Sequence, residues 1–246
     1  MKIIKVEGII INTTNYSESS KILNVYTKEY GLLGIMSKGC RNLKSKLRSL
    51  SDKLVYGDFN IYYKENGLST LISVDLKNEF KEIKKDIVKI SYANYLLDLT
   101  NQILRENKTG DMYGDLVSAL IKINESLNPL IITNIIELKF LEHLGVMPVI
   151  DCCTICGSDK NIVTIDGDVG GYICKNCYKN EKIVNPKTIK LLRMFYYVDI
   201  SKISELNIDE VNVKEIDDFL DKYYDRYTGL YLKSKEMLNY INKYQN

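Results

Sequence analysis

The chain begins with alternation. Ile4, Val6, Gly8 and Ile10 alternate with Lys5, Glu7, Ile9 and Ile11, a period of two that predicts a strand. Residues 20–27 predict a second strand, and 32–37 a third after a turn at Lys28-Glu29-Tyr30-Gly31. Over 54–63, Val55, Gly57, Phe59, Ile61 and Tyr63 face one way, and Leu54, Tyr56, Asp58, Asn60 and Tyr62 the other. Asn66-Gly67 is a two-residue hairpin signal leading into a fifth strand over 68–76. Five short strands in so small a region favour closure, because a closed sheet leaves no edge to pair with another chain. A five-stranded OB-fold barrel and an SH3-like barrel both satisfy that count.

From Phe80 the period lengthens. Ile83, Ile87, Ile90, Asn94, Leu97 and Ile103/Leu104 fit one stripe of a long helix, which Gly110-Asp111 breaks. A second helix over 112–126 turns Leu116, Leu120 and Ile123 inward. Asn128-Pro129 opens a third, with Ile132, Ile135/Ile136, Lys139/Phe140 and His143/Leu144 on its buried edge and Gly145 at its end. Pro186 opens a helix through Tyr197, and 212–227 and 230–244 supply two more around Gly229. The expected architecture is α+β: a barrel over 1–80, then a helical domain over 81–246 with an insert at 150–180.

That insert holds five of the six cysteines. Cys153–Cys156 and Cys174–Cys177 are C-x₂-C pairs with seventeen residues between them. Each two-residue gap makes a tight knuckle, and two knuckles bring four thiolates to one ion. The expectation is one structural zinc on Cys153, Cys156, Cys174 and Cys177, closed to substrate because protein fills every position. Cys152 is surplus, since pairing it with Cys156 would give a wider gap. His143, the sole histidine, lies near a helix C-terminus and reads as packing or surface.

Charge adds a second candidate site. Residues 1–80 hold twelve Lys/Arg against eight Asp/Glu, whereas the remainder holds twenty-two against twenty-four. Between the third and fourth strands, Lys38, Arg41, Lys44, Lys46 and Arg48 fall in a twelve-residue stretch with no acidic residue. Such density attracts phosphates without reading bases. Leu43, Leu47 and Leu50 are spaced to tie this stretch to the barrel through a short helix. Tyr26, Tyr56 and Tyr62 lie where a ring would stack on a base or pack in the core. No G-x₄-G-K-[ST] motif, serine elbow or paired carboxylate motif is present, so no enzyme is expected. No apolar run is long enough for a membrane span. Glu7 sits where a signal peptide would need an apolar core, so a cytoplasmic location is expected.

Several stretches together resemble the RecO family of bacterial recombination mediators and DNA-repair proteins. The first runs from Tyr16-Ser-Glu-Ser-Ser-Lys-Ile-Leu23 through Tyr30-Gly-Leu-Leu-Gly-Ile-Met-Ser-Lys-Gly-Cys-Arg41. Glu137-Leu-Lys-Phe-Leu-Glu-His-Leu-Gly-Val-Met-Pro148 resembles the helix entering that family's zinc module, and Asp151-Cys-Cys-Thr-Ile-Cys-Gly157, Gly170-Gly171 and Cys174-Lys-Asn-Cys177 resemble the module itself. Leu232-Lys-Ser-Lys235 resembles its C-terminal helix. The resemblance implies an N-terminal OB-fold, a helical domain and a structural zinc, and it leaves the position of Cys152 outside the ligand set. It also implies binding to single- and double-stranded DNA and annealing of complementary strands. The implied partners are RecR, RecF, RecA and the C-terminal tail of the single-strand-binding protein, with a nucleoid-associated place in the cell. Lys38 and Arg41 lie within the resembling motif; Lys44, Lys46 and Arg48 extend it by charge alone. The competing expectation is a zinc-containing helical scaffold that touches nucleic acid only incidentally.

Overall fold

A computed structural model describes residues 2–106 and 111–245. The chain forms two compact units, Met1–Asn124 with Leu232–Asn246, and Glu125–Tyr231.

The first unit is built on β1 (Lys2–Tyr16), β2 (Ser20–Thr27), β3 (Gly31–Ser37), β4 (Tyr56–Tyr63) and β5 (Ser69–Asn78). They close in the order β1-β2-β3-β5-β4, with β4 returning to β1. That order is the OB-fold's and settles the choice between small barrels. Among the described residues of the barrel, the one parallel pairing is β3 with β5, short at Ile35↔Ser69 and Met36↔Thr70. Inside lie Val6, Ile10, Leu23, Val25, Ile35 and Phe59, all on inward-facing positions of the alternating strands. Alternation fails at Ile9, Ile10 and Ile11, all fully buried. The register shifts there between Ile10 and Asn12, and a helix covers the outer side of β1. The Asn66-Gly67 hairpin is longer than expected: β4 ends at Tyr63 and β5 begins at Ser69, with Gly67 at φ +123°.

The helices of this unit are α1 (Lys81–Lys85), α2 (Ile87–Glu106), α3 (Tyr113–Asn124) and, returning from the far end of the chain, α7 (Lys233–Gln245). The long helix expected from residue 80 is two helices. Asp86 is extended and its carboxylate accepts hydrogen bonds from the backbone N–H of Val88 and Lys89, at 2.8 and 3.1 Å. An aspartate that satisfies the first free amides starts a new helix instead of continuing the old one. Ile87, placed on the buried stripe by its spacing, is 55 % exposed at that new start. Gly110, the expected break, lies outside the described residues.

A network ties barrel to helices within this unit. The Glu7 carboxylate on β1 accepts from the Tyr56 hydroxyl at 2.8 Å and the Tyr113 hydroxyl at 3.2 Å, and pairs with Lys77. The Tyr26 hydroxyl accepts from the backbone N–H of Met112 at 2.9 Å.

The second unit holds α4 (Pro129–His143), α5 (Pro186–Tyr197), a 3₁₀ turn at Ile200–Lys202 and α6 (Glu210–Tyr227). α4 and α5 start at Pro129 and Pro186 as expected, and the side chains of Asn128 and Asn185 cap them. Between α4 and α5 runs a small sheet of β6 (Val149–Cys153), β7 (Ile162–Asp166) and β8 (Gly171–Cys174), in the order β6-β8-β7. Its strands escape the periodicity argument because they are only four or five residues long. No helix among the described residues is long and apolar enough to cross a membrane.

Candidate nucleic-acid interface and metal centre

The two candidate sites form by different means. The cysteine site begins with its knuckles. Cys153 accepts at its carbonyl from the Gly157 N–H at 2.8 Å, and Cys174 at its carbonyl from the N–H groups of Cys177 and Tyr178, at 3.0 and 2.9 Å. Gly157 sits at φ +73°, where a Cβ would be strained. β6 and β8 then set the knuckles side by side. At their closest, a Cβ on Gly171 would lie 2.2 Å from the Val149 carbonyl oxygen, so only glycine lets these strands meet. The Cys174 N–H points at the Cys153 sulfur across 3.4 Å.

The four sulfurs of Cys153, Cys156, Cys174 and Cys177 lie within 4.8 Å of one another. Four thiolates around zinc at about 2.3 Å would stand about 3.8 Å apart, and Cys156 and Cys174 are separated by 3.7 Å. The donor set therefore fits a zinc ion. Four thiolates this close repel one another. Cys177 is pushed up to about 12, chiefly by its hydrogen bond with Cys156. Burial pushes the Cys153 thiol up, but hydrogen bonds from the backbone of Cys174, Cys156 and Ile155 outweigh it and hold Cys153 near 6. A divalent cation would remove that conflict by favouring all four as thiolates. Cys152 is no member of the group. Tyr172, the ladder partner of Cys153, donates its hydroxyl hydrogen to the Ile189 carbonyl on α5 at 2.5 Å, anchoring the sheet.

The basic site is a run of turns over residues 38–55. No helix forms there, contrary to expectation. Leu47 and Leu50 nevertheless pack against the barrel core, while Leu43 points away at 83 % exposed. Two anchors suffice in place of a helical face. Ser51 is buried, its hydroxyl 2.8 Å from that of Ser37 and donating to the Leu47 carbonyl at 2.7 Å. Cys40 is also buried. With these small and apolar groups turned in, Lys38, Arg41, Lys44, Lys46 and Arg48 are all exposed. Among the described residues none of the five pairs with a carboxylate at ion-pair distance, although other lysines of the barrel, such as Lys5 and Lys21, do.

The β1–β2 hairpin braces this loop, a feature with no signal in the sequence. The Arg41 N–H donates to the Ser19 carbonyl at 2.8 Å, the Arg41 guanidinium to the Ser17 carbonyl at 3.1 Å, and the Gly39 N–H to the Ser20 hydroxyl at 3.2 Å. Of the three tyrosines considered for stacking, Tyr26 and Tyr56 are buried packing residues. Tyr26 stands edge-on to Tyr113 at 5.5 Å, and Tyr56 stacks on Phe80 at 6.0 Å. Burial and the Glu7 carboxylate push the Tyr56 hydroxyl up to about 12. Tyr62 is 43 % exposed. His143 meets Phe140 edge-on at 6.1 Å and is not one of the clustered metal-ligand candidates.

The protein thus belongs to the class that pairs a five-stranded OB barrel carrying a cationic loop with helices that hold a four-cysteine cluster. The comparisons with known proteins are more specific. The family model described as Recombination protein O N terminal matches residues 1–80, and that for Recombination protein O C terminal matches residues 84–236. The DNA repair protein RecO of Bacillus pumilus (strain SAFR-032) is 34 % identical over 241 residues, covering 96 % of this chain and 94 % of the relative. That of Bacillus subtilis (strain 168) is 32 % identical over 239 residues, covering 96 % and 93 %. That of Listeria monocytogenes serotype 4b (strain CLIP80459) is 32 % identical over 246 residues, covering 98 % and 96 %. The chain belongs to the RecO family of DNA repair proteins.

Proposed function

We propose that this chain is a recombination mediator that binds single- and double-stranded DNA, anneals complementary strands and, with RecR, helps to load RecA onto DNA coated by single-strand-binding protein. The observation that carries the reading is the loop bearing Lys38, Arg41, Lys44, Lys46 and Arg48. Its five cations are exposed and free of carboxylate partners among the described residues.

Annealing requires no bond chemistry. Two polyanionic strands repel, and cations at their backbones release counterions and lower that barrier. Contacts to phosphates carry no sequence information and leave the bases free to pair. Loop turns braced by a hairpin present charge without a base-reading pocket, which suits sequence-tolerant contact. The zinc on Cys153, Cys156, Cys174 and Cys177 would be structural, since four protein ligands leave no open position for substrate. RecF and the tail of the single-strand-binding protein complete the proposed set of partners, and the nucleoid is the proposed place of action.

The test is a salt titration of DNA binding by the full chain and by a variant with Lys38, Arg41, Lys44 and Lys46 all changed to Glu. For single strands the slope of log affinity against log salt should fall by about 3, from about 0.7 per lost phosphate contact. Annealing of strands coated with single-strand-binding protein should fall in parallel and need no ATP. Equal slopes for the two proteins would overturn the assignment of the loop.

A further inference from the structure

The barrel carries a continuous row of side chains across its outer face. Directly opposed residues in a ladder share a face, so the register defines the row. Tyr62 on β4 opposes Thr70 on β5, Thr70 opposes Met36 on β3, Met36 opposes Ile22 on β2, and Ile22 opposes Thr14 on β1. No charged residue interrupts it. Tyr16 follows two positions beyond Thr14, hence on the same face. Both ends of the row are therefore rings in solvent, Tyr16 at 49 % and Tyr62 at 43 % exposed. Four strand spacings separate Thr14 from Tyr62 along this row, about 19 Å round the barrel surface, and β4 closes onto β1 on the other side, where Tyr62 opposes Ile3.

These two rings differ from the other barrel tyrosines. Tyr26 and Tyr56 are hydrogen-bonded and packed against rings, and Tyr30 pairs with Tyr63 at 5.4 Å. Among the described residues, the side chains of Tyr16 and Tyr62 join no hydrogen bond and no ring pair. Tyr16 also has a particular neighbour. Its ladder partner is Ser20, whose hydroxyl accepts from the Gly39 N–H, between Lys38 and Arg41. The Arg41 guanidinium is bound to the carbonyl of Ser17, the residue after Tyr16. An unengaged aromatic face is thus held beside two exposed cations by a braced hairpin.

We propose that Tyr16 is a stacking platform for a base of single-stranded nucleic acid, with Tyr62 a second platform at the far end of the row. This rests on the reading of the loop as a phosphate-binding element and adds a residue and a contact to it. Lys38 and Arg41 hold the backbone, and the neighbouring base lies on the Tyr16 ring. Stacking uses only the π-face of a base and is sequence-tolerant. It leaves the Watson–Crick edge open, so a strand held this way can still meet its complement. Duplex DNA keeps its bases stacked on each other and cannot use the platform. Tyr16 therefore gives the cationic loop a preference for single strands that charge alone does not provide.

The chain contains no tryptophan, so Tyr16→Trp places a single indole at the site. Its fluorescence should be quenched on addition of oligo(dT) and unchanged on addition of an abasic strand of the same length. Tyr16→Ala should weaken oligo(dT) binding about tenfold at fixed salt, leave the salt slope unchanged, and leave abasic-strand and duplex affinity as in the wild type; Tyr16→Phe should bind as the wild type does. Because the ring is exposed, all three variants should melt with the parent. If the wild type binds DNA but Tyr16→Ala binds oligo(dT) equally well, or loses abasic-strand affinity to the same degree, the platform is refuted while the loop assignment stands. If the wild type binds no strand, both fail together.

Discussion

The barrel and the cysteine sheet are both built of strands, but their strands differ in length and in what can hold them in place. The barrel closes on itself and buries Val6, Ile10, Leu23, Val25, Ile35 and Phe59 in one interior. Its strands run to fifteen residues and every edge is paired. The cysteine sheet has three strands of four or five residues, buries only Ile150, Ile165, Tyr172 and Ile173 as large apolar side chains among the described residues of its strands, and gathers four thiols. Three such strands bury too little apolar surface to offset the entropy of ordering them. A metal ion on the four thiolates would supply the difference in one case, whereas hydrophobic burial supplies it in the other. A chelator should then loosen the first region, and only carving the core should loosen the second.

The largest effect expected from this contrast is on the cysteine sheet. Zinc binding to such modules is worth about 10–16 kcal/mol at neutral pH. A strong chelator, or Cys174→Ser, should release one zinc per chain and open residues 149–185 to proteolysis. Affinity of the loop for single strands should stay within about twofold, as expected for sites with no shared partner. Elemental analysis, limited proteolysis and DNA titration on the same samples read this out, and a purified chain without stoichiometric metal would contradict it.

The core of the barrel should respond next. Phe59 is fully buried, and Phe59→Ala should cost about 3–5 kcal/mol through lost burial and the cavity left behind. The urea midpoint of the unfolding transition reports it, while zinc content should not change.

Glu7 gives a smaller, pH-dependent effect. Burial alone would raise its carboxyl, but Lys77 and the hydroxyls of Tyr56 and Tyr113 together hold it below the usual carboxylate range. A carboxyl lowered by folding stabilises the fold above its unfolded value of about 4.3. That contribution is lost as pH falls through the folded value. Glu7→Gln should cost about 1–2 kcal/mol at neutral pH and flatten the stability profile on the acid side of pH 4. An unaltered acid limb would remove Glu7 from the account.

The smallest effect lies in the helical frame of the cysteine sheet. The Asn185 side chain accepts from the Lys187 N–H at 2.9 Å at the start of α5. Asn185→Ala should cost about 1 kcal/mol, seen as a small fall in the melting temperature with metal content intact.

Much of this was legible in one dimension because its causes are local. A C-x₂-C knuckle is decided by two residues, and Cys153, Cys156, Cys174 and Cys177 meet as their spacing predicts. Asn128-Pro129 and Asn185-Pro186 mark helix starts because cap and fixed φ act within one turn. The alternation at Val55, Phe59 and Ile61 names a core face directly.

What the order of residues could not reveal depends on which strangers a side chain meets. Tyr26, Tyr56 and Tyr62 look alike on their strands, yet Tyr26 and Tyr56 are claimed by Met112, Tyr113, Glu7 and Phe80 and only Tyr62 faces solvent. The helix expected from residue 80 is divided because Asp86 finds free amides to cap. Tyr16 and the loop cations stand together only because β1, β2 and β3 are neighbours in the barrel. Spacing and charge pattern were enough to indicate the barrel, the helices, the thiol quartet and the basic stretch, since each follows from contacts a few residues long or from composition. The pairing of strands, at its widest between Lys2 and Tyr63, then decided which rings were left over, because register selects the neighbours of every outward side chain.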